Sequence, residues 1–188
     1  MKKYIFPSIK LTLIFTVILC AIYPLFISFA AKLSNGKGSG EKLMLNGKVV
    51  GYKLIGQSFT EPKYFWGRPS AVNYNAAGSA GSNKGPTNPD YLAEVKNRVD
   101  TLLKYNPGLK KNEIPAEMVT ASASGLDPNI SVQGAQIQAK RIAKVRNLPL
   151  QKVNQLIIEH TEKPLMGLFG PTKINVLSLN IALDQLKH

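Results

Sequence analysis

Three residues in this sequence have the side chains of an acyl-transfer site: Ser124, Asp127 and His160. A hydroxyl nucleophile, a carboxylate and an imidazole work together only when geometry joins them, so their presence in one chain proves nothing. Gly56-Gln57-Ser58-Phe59-Thr60 lacks the second glycine of a nucleophile elbow. Arg68, beside Pro69, and Arg141, on an expected helix, can each clamp an anion; arginines at such places equally pair with an acid or a backbone carbonyl. The Gly-Ser-rich stretch from Gly78 to Gly85 offers backbone donors for an anion nest, or serves as a packed connector. No phosphate-binding glycine loop and no H-E-x-x-H pair occurs, and His160 and His188 are the only histidines. Asn129-Ile130-Ser131 is formally a glycosylation acceptor but reads better as a helix cap. The residues by themselves leave a domain without a catalytic set.

The elements that would position these groups follow from spacing. Asn46-Gly47 between apolar runs predicts a hairpin, with strands at Lys42–Leu45 and Lys48–Ile55. Residues 57–89 show neither helical nor strand periodicity, yet Phe59, Tyr64, Phe65, Trp66 and Tyr74 should pack this long loop onto the body. Asn88-Pro89-Asp90 starts a helix with Tyr91, Leu92, Val95, Val99, Leu102 and Leu103 as its apolar face, and Asn106-Pro107-Gly108 stops it. Val119-Thr120 is expected to end a short strand, Ser122 to Gly125 to turn tightly, and Asp127-Pro128 to turn again. Ser131 caps a helix to about Asn147, with Ala135, Ala139, Ile142 and Ala143 inward; Pro149 opens another, with Leu150, Val153, Leu156 and Ile157 inward. Asn175 caps a last helix through Leu186, although the same residues alternate enough for a strand. The outer part therefore reads as α+β, helix-rich, with a small hairpin and sheet.

Ahead of that domain, Leu11 to Ala31 contains no charge and is just long enough to cross a bilayer as a helix. Pro24 should kink it, and the Tyr23 hydroxyl needs either a partner helix or the interface. The run exceeds the usual core of a cleaved signal, Leu19 before Cys20 argues against a lipoprotein signal, and the lack of charge argues against a buried soluble helix. Of the net charge of +13 over 188 residues, three positive charges fall on Lys2, Lys3 and Lys10, which leaves +10 beyond the span. The long segment after the span should translocate whatever its charge, so residues 1–10 are expected inside, 11–31 across the membrane, 32–41 as a flexible tether and 42–188 as an extracytoplasmic domain. Sparse aromatics away from the lysines exclude nucleic acid as the favoured partner and leave lipid headgroups or acidic protein surfaces. The one cysteine, Cys20, lies in the span, so the outer domain has no disulfide.

Six segments in order, GQSF (Gly56–Phe59), YFWGRPSA (Tyr64–Ala71), GSNKGPTNP (Gly81–Pro89), VTASASGLDPNIS (Val119–Ser131), HTE (His160–Glu162) and NVLSLNIALD (Asn175–Asp184), resemble the C subunit of the Kdp-type potassium-transporting P-type ATPase of bacteria. The family pattern favours Gly-Ser-Gly in the serine turn and His before Ile130, where this chain has Ala123 and Asn129, so no chemistry is carried over to those two side chains. The resemblance implies a non-catalytic accessory subunit of a high-affinity potassium uptake complex in the bacterial plasma membrane. Its partners would be a channel-like A subunit, an ATP-hydrolysing B subunit and a small F subunit, with lipid around the span. It also implies interaction residues at Gln57, Phe59, Phe65, Arg68, Pro69, Ser70, Ser82, Asn83, Gly85, Pro86 and Asn88. A second implied role is to raise the ATP affinity of the B subunit, with Ser122, Ser124, Gly125, Asp127 and Gln138 as nucleotide contacts. ATP is cytoplasmic and the domain is expected outside, which places assembly ahead of nucleotide contact. The residues alone also allow a membrane-anchored anion-binding adaptor or a secreted serine hydrolase.

Overall fold

In a computed structural model, which describes residues 2–186, the first helix begins well before the apolar run. Helix α1 spans Lys2–Val17, a π-helical turn Ile18–Ile22 follows, and α2 spans Tyr23–Ala31. Pro7 stands inside α1, and the helix nevertheless continues past the uncharged stretch toward the N-terminus. Pro24 has no N–H for the carbonyl of Cys20, and the ladder widens just ahead of it, where the Tyr23 N–H reaches back to the carbonyl of Ile18. The disturbance at Pro24 takes the form of a π turn. Met1, Lys187 and His188, at the ends of the expected inner and outer segments, lie outside the described residues.

The chain divides into two units, one ending at Lys42 and the other beginning at Leu43. Between Lys32 and Glu41, expected as a featureless tether, successive turns form, closed by Lys37 N–H to Ser34 O (2.9 Å) and Ser39 N–H to Gly36 O (2.8 Å). A Cβ at Gly36 would stand 2.5 Å from the Gly40 backbone.

A hairpin, β1 (Lys42–Leu45) and β2 (Lys48–Tyr52), begins at that boundary. Asn46 and Gly47 both adopt positive φ (52° and 77°), the turn that matches strand twist. Strand β2 stops at Tyr52 rather than Ile55, because the Ile55 N–H turns back to the Tyr52 carbonyl. Helix α3 (Pro89–Tyr105) is capped by the Asn88 side chain, which accepts from the Tyr91 N–H. It buries Val99 and Leu102, but Leu92 stands 52 % exposed, since the core does not reach the first turn. No strand forms at Val119-Thr120. Pro115 starts a 3₁₀ turn, Ala116–Met118, whose N–H groups at Met118 and Val119 bond to the carbonyls of Pro115 and Ala116.

Asp127-Pro128 leads into strand β3 (Asn129–Ile130), its carboxylate accepting from the Asn129 N–H (3.0 Å). Helices α4 (Val132–Val145) and α5 (Leu150–Glu159), strands β4 (Thr161–Glu162) and β5 (Lys173–Asn175) and helix α6 (Val176–Gln185) complete the unit. The sheet runs β3-β5-β4, antiparallel, with Ile174 facing both Ile130 and Thr161. Helix α4 packs on α5 and α5 on α6, while α4 and α6 both meet β5. Ala135 and Ala139 let the helices approach closely, and Ile142, Val153, Ile157, Ile174 and Leu179 fill the centre. The last segment is the expected helix: Asn175, where β5 ends, caps α6 at the Ser178 N–H, and no described residue beyond it is in a strand. The observed class is α+β, with a hairpin, a three-stranded sheet and one apolar N-terminal helix.

Candidate functional site

The irregular loop that carries the aromatic motif is held by side chains instead of a strand partner. Phe65 is fully buried, and its backbone is clamped by Asn180 of α6, which accepts from the Phe65 N–H (2.9 Å) and donates to its carbonyl (3.0 Å). Gln138 of α4 does the same for Trp66, accepting from the N–H (2.8 Å) and donating to the carbonyl (3.2 Å). The Gln138 oxygen also accepts from Arg141 Nη2 (2.7 Å), and its amide nitrogen also donates to the Gly134 carbonyl (2.9 Å). Such saturation is what full burial of an amide demands. Arg141 reaches the carbonyls of Pro62 and Tyr64 and the Asn106 side chain, and its guanidinium lies over the Trp66 ring at 4.3 Å. Burial lowers its pKa to about 10. At the outer end, Asp184 accepts from Arg146 (2.6 Å) and from the Tyr64 hydroxyl (3.0 Å).

A second junction joins that loop to the serine turn. Arg68 pairs with Asp127 at 2.9 Å. The Ser70 hydroxyl donates to the Gly125 carbonyl (2.7 Å), the Ser122 N–H donates to the Pro69 carbonyl (3.0 Å), and the Ser79 hydroxyl donates to the Ser124 carbonyl (2.9 Å). Gly125 has φ +68°, and a Cβ there would stand 2.5 Å from Val72 and 2.8 Å from the Ala80 carbonyl. Tyr74 donates its hydroxyl to the Arg68 carbonyl; burial first, then the Asp127 charge, push its pKa up to about 12.

Arg68, Pro69 and Ser70 are thus brought together with Ser122, Ser124, Gly125 and Asp127, although some fifty residues of chain separate them. Gln138 lies on the other side of the same loop, wholly buried. Phe59 sits tilted against Tyr64 at 5.5 Å. Gln57 is elsewhere, its amide donating to the Val50 carbonyl (3.2 Å) and filling the space that a side chain at Gly51 would need. Ser82, Asn83, Gly85 and Pro86 form the approach to the Asn88 cap, with Asn83 at φ 54° and the Asn88 N–H bonded to the Gly85 carbonyl. The Gly78–Gly85 stretch lies along the serine turn as a connector, Gly81 close against Ala123. Ser124, Asp127 and His160 do not meet through hydrogen bonds: Ser124 accepts from the Leu126 N–H, Asp127 holds Arg68, and His160 bonds the Leu156 carbonyl.

Between this loop and α3 lies a cleft of about 470 Å³, lined by Phe59, Trp66, Arg68, Tyr74, Arg98 and Tyr105 among others. Arg68 pairs with Asp127, whereas Arg98 shares Glu94 with Lys84, which leaves three cations to two carboxylates beside the cleft. The reading from spacing passed over Asn180, Arg146 and Asp184. A signal existed for Asn180 as for Gln138: each is a polar residue on the inward stripe of an apolar helix face, where burial requires a full set of partners.

A family model described as KdpC: K+-transporting ATPase, c chain, matches residues 5–185. A protein of Flavobacterium johnsoniae called potassium-transporting ATPase KdpC subunit is 58 % identical over 185 residues, covering 98 % of this chain and all of that protein. Proteins of the same name from Flavobacterium psychrophilum and Bacteroides fragilis are 56 % and 52 % identical; the alignments cover 98 % and 99 % of this chain and 100 % and 99 % of those proteins.

Proposed function

The chain belongs to the KdpC family, the c chain of K+-transporting ATPases, and on that premise we propose that it is a membrane-anchored, non-catalytic subunit that assembles and stabilises a potassium-uptake complex. Its partners are the potassium-conducting A subunit, the ATP-hydrolysing B subunit and the small F subunit. One observation carries this reading: Lys3–Ala31 forms a single 29-residue helix, long and apolar enough to cross a membrane, with none of its apolar window buried inside the protein. In water such a surface would aggregate; in a bilayer it is solvated, and it can lie against another helix. Lys2, Lys3 and Lys10 before the span are matched by Lys32, Lys37, Lys42 and Lys48 after it, so the orientation rests on the long following segment, which translocates whatever its charge and puts residues 32–188 outside. A domain bearing +9 over residues 42–188 would repel potassium within about a Debye length, roughly 8 Å at physiological salt, so its basic surface faces acidic protein or lipid and not the ion path.

Raising the ATP affinity of the B subunit ranks second. The Gln138 amide is buried with both ends engaged and Ser122 is buried, so a nucleotide would meet mainly Ser124 and Asp127, and Asp127 already holds Arg68. Photoreactive ATP that labels 122–127 in sealed, right-side-out vesicles would reverse this ranking.

The test is growth in very low potassium. Cells lacking the chain should fail to grow, and cells in which residues 11–31 are exchanged for an unrelated apolar helix should grow poorly because the complex comes apart on purification. Unimpaired growth without the chain would overturn the assignment.

A further inference from the structure

The loop between β4 and β5 presents four large apolar side chains that nothing in the fold covers. Leu165, Met166, Leu168 and Phe169 are 70 %, 84 %, 82 % and 64 % exposed. The loop is nonetheless shaped. Leu165 N–H donates to the Phe169 carbonyl (2.9 Å) and Phe169 N–H to the Leu165 carbonyl (3.0 Å), while Met166 and Gly167 reverse the chain at φ 53° and 74°. A closed turn therefore holds these side chains outward, with little ordering left to do on contact. Lysines stand behind the tip: Lys163 is exposed at its base, and across the strand pair Lys173 meets Glu162 at 3.8 Å. Glu162 also meets Lys53, which follows the hairpin, so the base of the loop adjoins the segment where the chain enters the domain.

We propose that Leu165–Phe169 inserts into the surface of an anionic lipid bilayer, as a membrane contact additional to the N-terminal helix. An apolar tip backed by cations fits the bilayer boundary, where acyl chains take the apolar groups and phosphates meet the lysines one layer behind. The same geometry suits a purely apolar protein pocket less well, because the basic rim would find no anions there. The tether adds to the case: ten residues, Lys32–Glu41, reach at most about 35 Å, so an anchored domain stays within reach of the lipid that holds its helix. This inference rests on the membrane-anchored part of the proposed function and on none of its subunit assignments.

The experiment uses the full chain in nanodiscs. Met166→Cys in a Cys20→Ser background carries an environment-sensitive fluorophore, and Asn83→Cys in the same background is the control at a polar exposed loop. In discs containing phosphatidylglycerol, the probe at 166 should shift to shorter wavelength and be quenched by lipids brominated on the acyl chain, while the probe at 83 should do neither. Lys163→Glu, or replacing phosphatidylglycerol by phosphatidylcholine, should reduce both the shift and the quenching. An unshifted probe at 166 overturns the proposal. So does a probe that shifts only in the assembled complex and stays unquenched by lipid, because a protein pocket then covers the tip. Low-potassium growth reads subunit membership and lipid quenching reads the tip, so the two can fail independently.

Discussion

Gln138 and Asn180 each commit both ends of an amide to the backbone at Trp66 and Phe65. Gln138→Leu keeps the volume but strands the Trp66 N–H and carbonyl, at about 1–3 kcal/mol for each orphaned group. We expect lower stability in urea, followed by the emission of Trp66, the only tryptophan. Asn180→Leu should cost a similar amount, and an unchanged midpoint in either variant would remove the clamp from the account. Tyr74 offers a pH test. Its folded pKa is raised to about 12 from the ordinary 10.0, so between those values the unfolded chain loses a proton that the folded chain keeps. The contribution is whole below pH 10 and falls away as pH rises through 12, by on the order of 2–3 kcal/mol. The stability difference between wild type and Tyr74→Phe should narrow over that range and be flat from pH 7 to 9. That an aromatic loop must pack was readable from Phe59, Phe65 and Trp66. Which polar groups hold it was not, because the partners come from helices some seventy to a hundred and fifteen residues downstream.

At the scale of elements, caps and turns were the most legible features. Asn88, Ser131 and Asn175 each accept from the N–H three residues on, as their types and positions imply. Glycines separate local from tertiary constraint. Gly108 (φ +88°) has nothing nearby, whereas Gly125 (φ +68°) is packed against Val72 and Ala80. Gly108→Ala should therefore cost only the left-handed backbone, about 1–2 kcal/mol. Gly125→Ala should cost clearly more and loosen the junction at Ser70, measured as a larger drop in unfolding midpoint. Equal losses would mean that the serine turn yields freely. The expected strand at Val119-Thr120 did not form because Pro115 starts a 3₁₀ turn whose bonds take up the same N–H groups. The first helix runs past the uncharged stretch to Lys2 even though Pro7 lies within it, which sequence signals alone would have read as a stop.

At the scale of the molecule, an apolar helix and an α+β domain are separate units joined by turns. The topology proposed for them predicts that protease added to spheroplasts removes the domain from residue 42 onward and leaves a short fragment containing the helix. Protection of the domain until cells are permeabilised would reverse the orientation. A mature chain starting near Ala31 or Lys32 would show that the helix is a cleaved signal and would remove the anchor.

What the amino-acid order determined unaided was whatever depends on neighbours in the chain: the uncharged helix, the Asn46-Gly47 hairpin, the caps, the inward faces of α4 and α5, and, through six motifs in order, the family. Tertiary structure alone decided the rest. It laid an irregular loop across two helices, joined Arg68 to Asp127 and Ser70 to Gly125, occupied every polar atom of the Gln138 amide, and left Leu165–Phe169 uncovered. Periodicity reports which way a side chain faces along its own element. It carries no information on which distant backbone group will be waiting there.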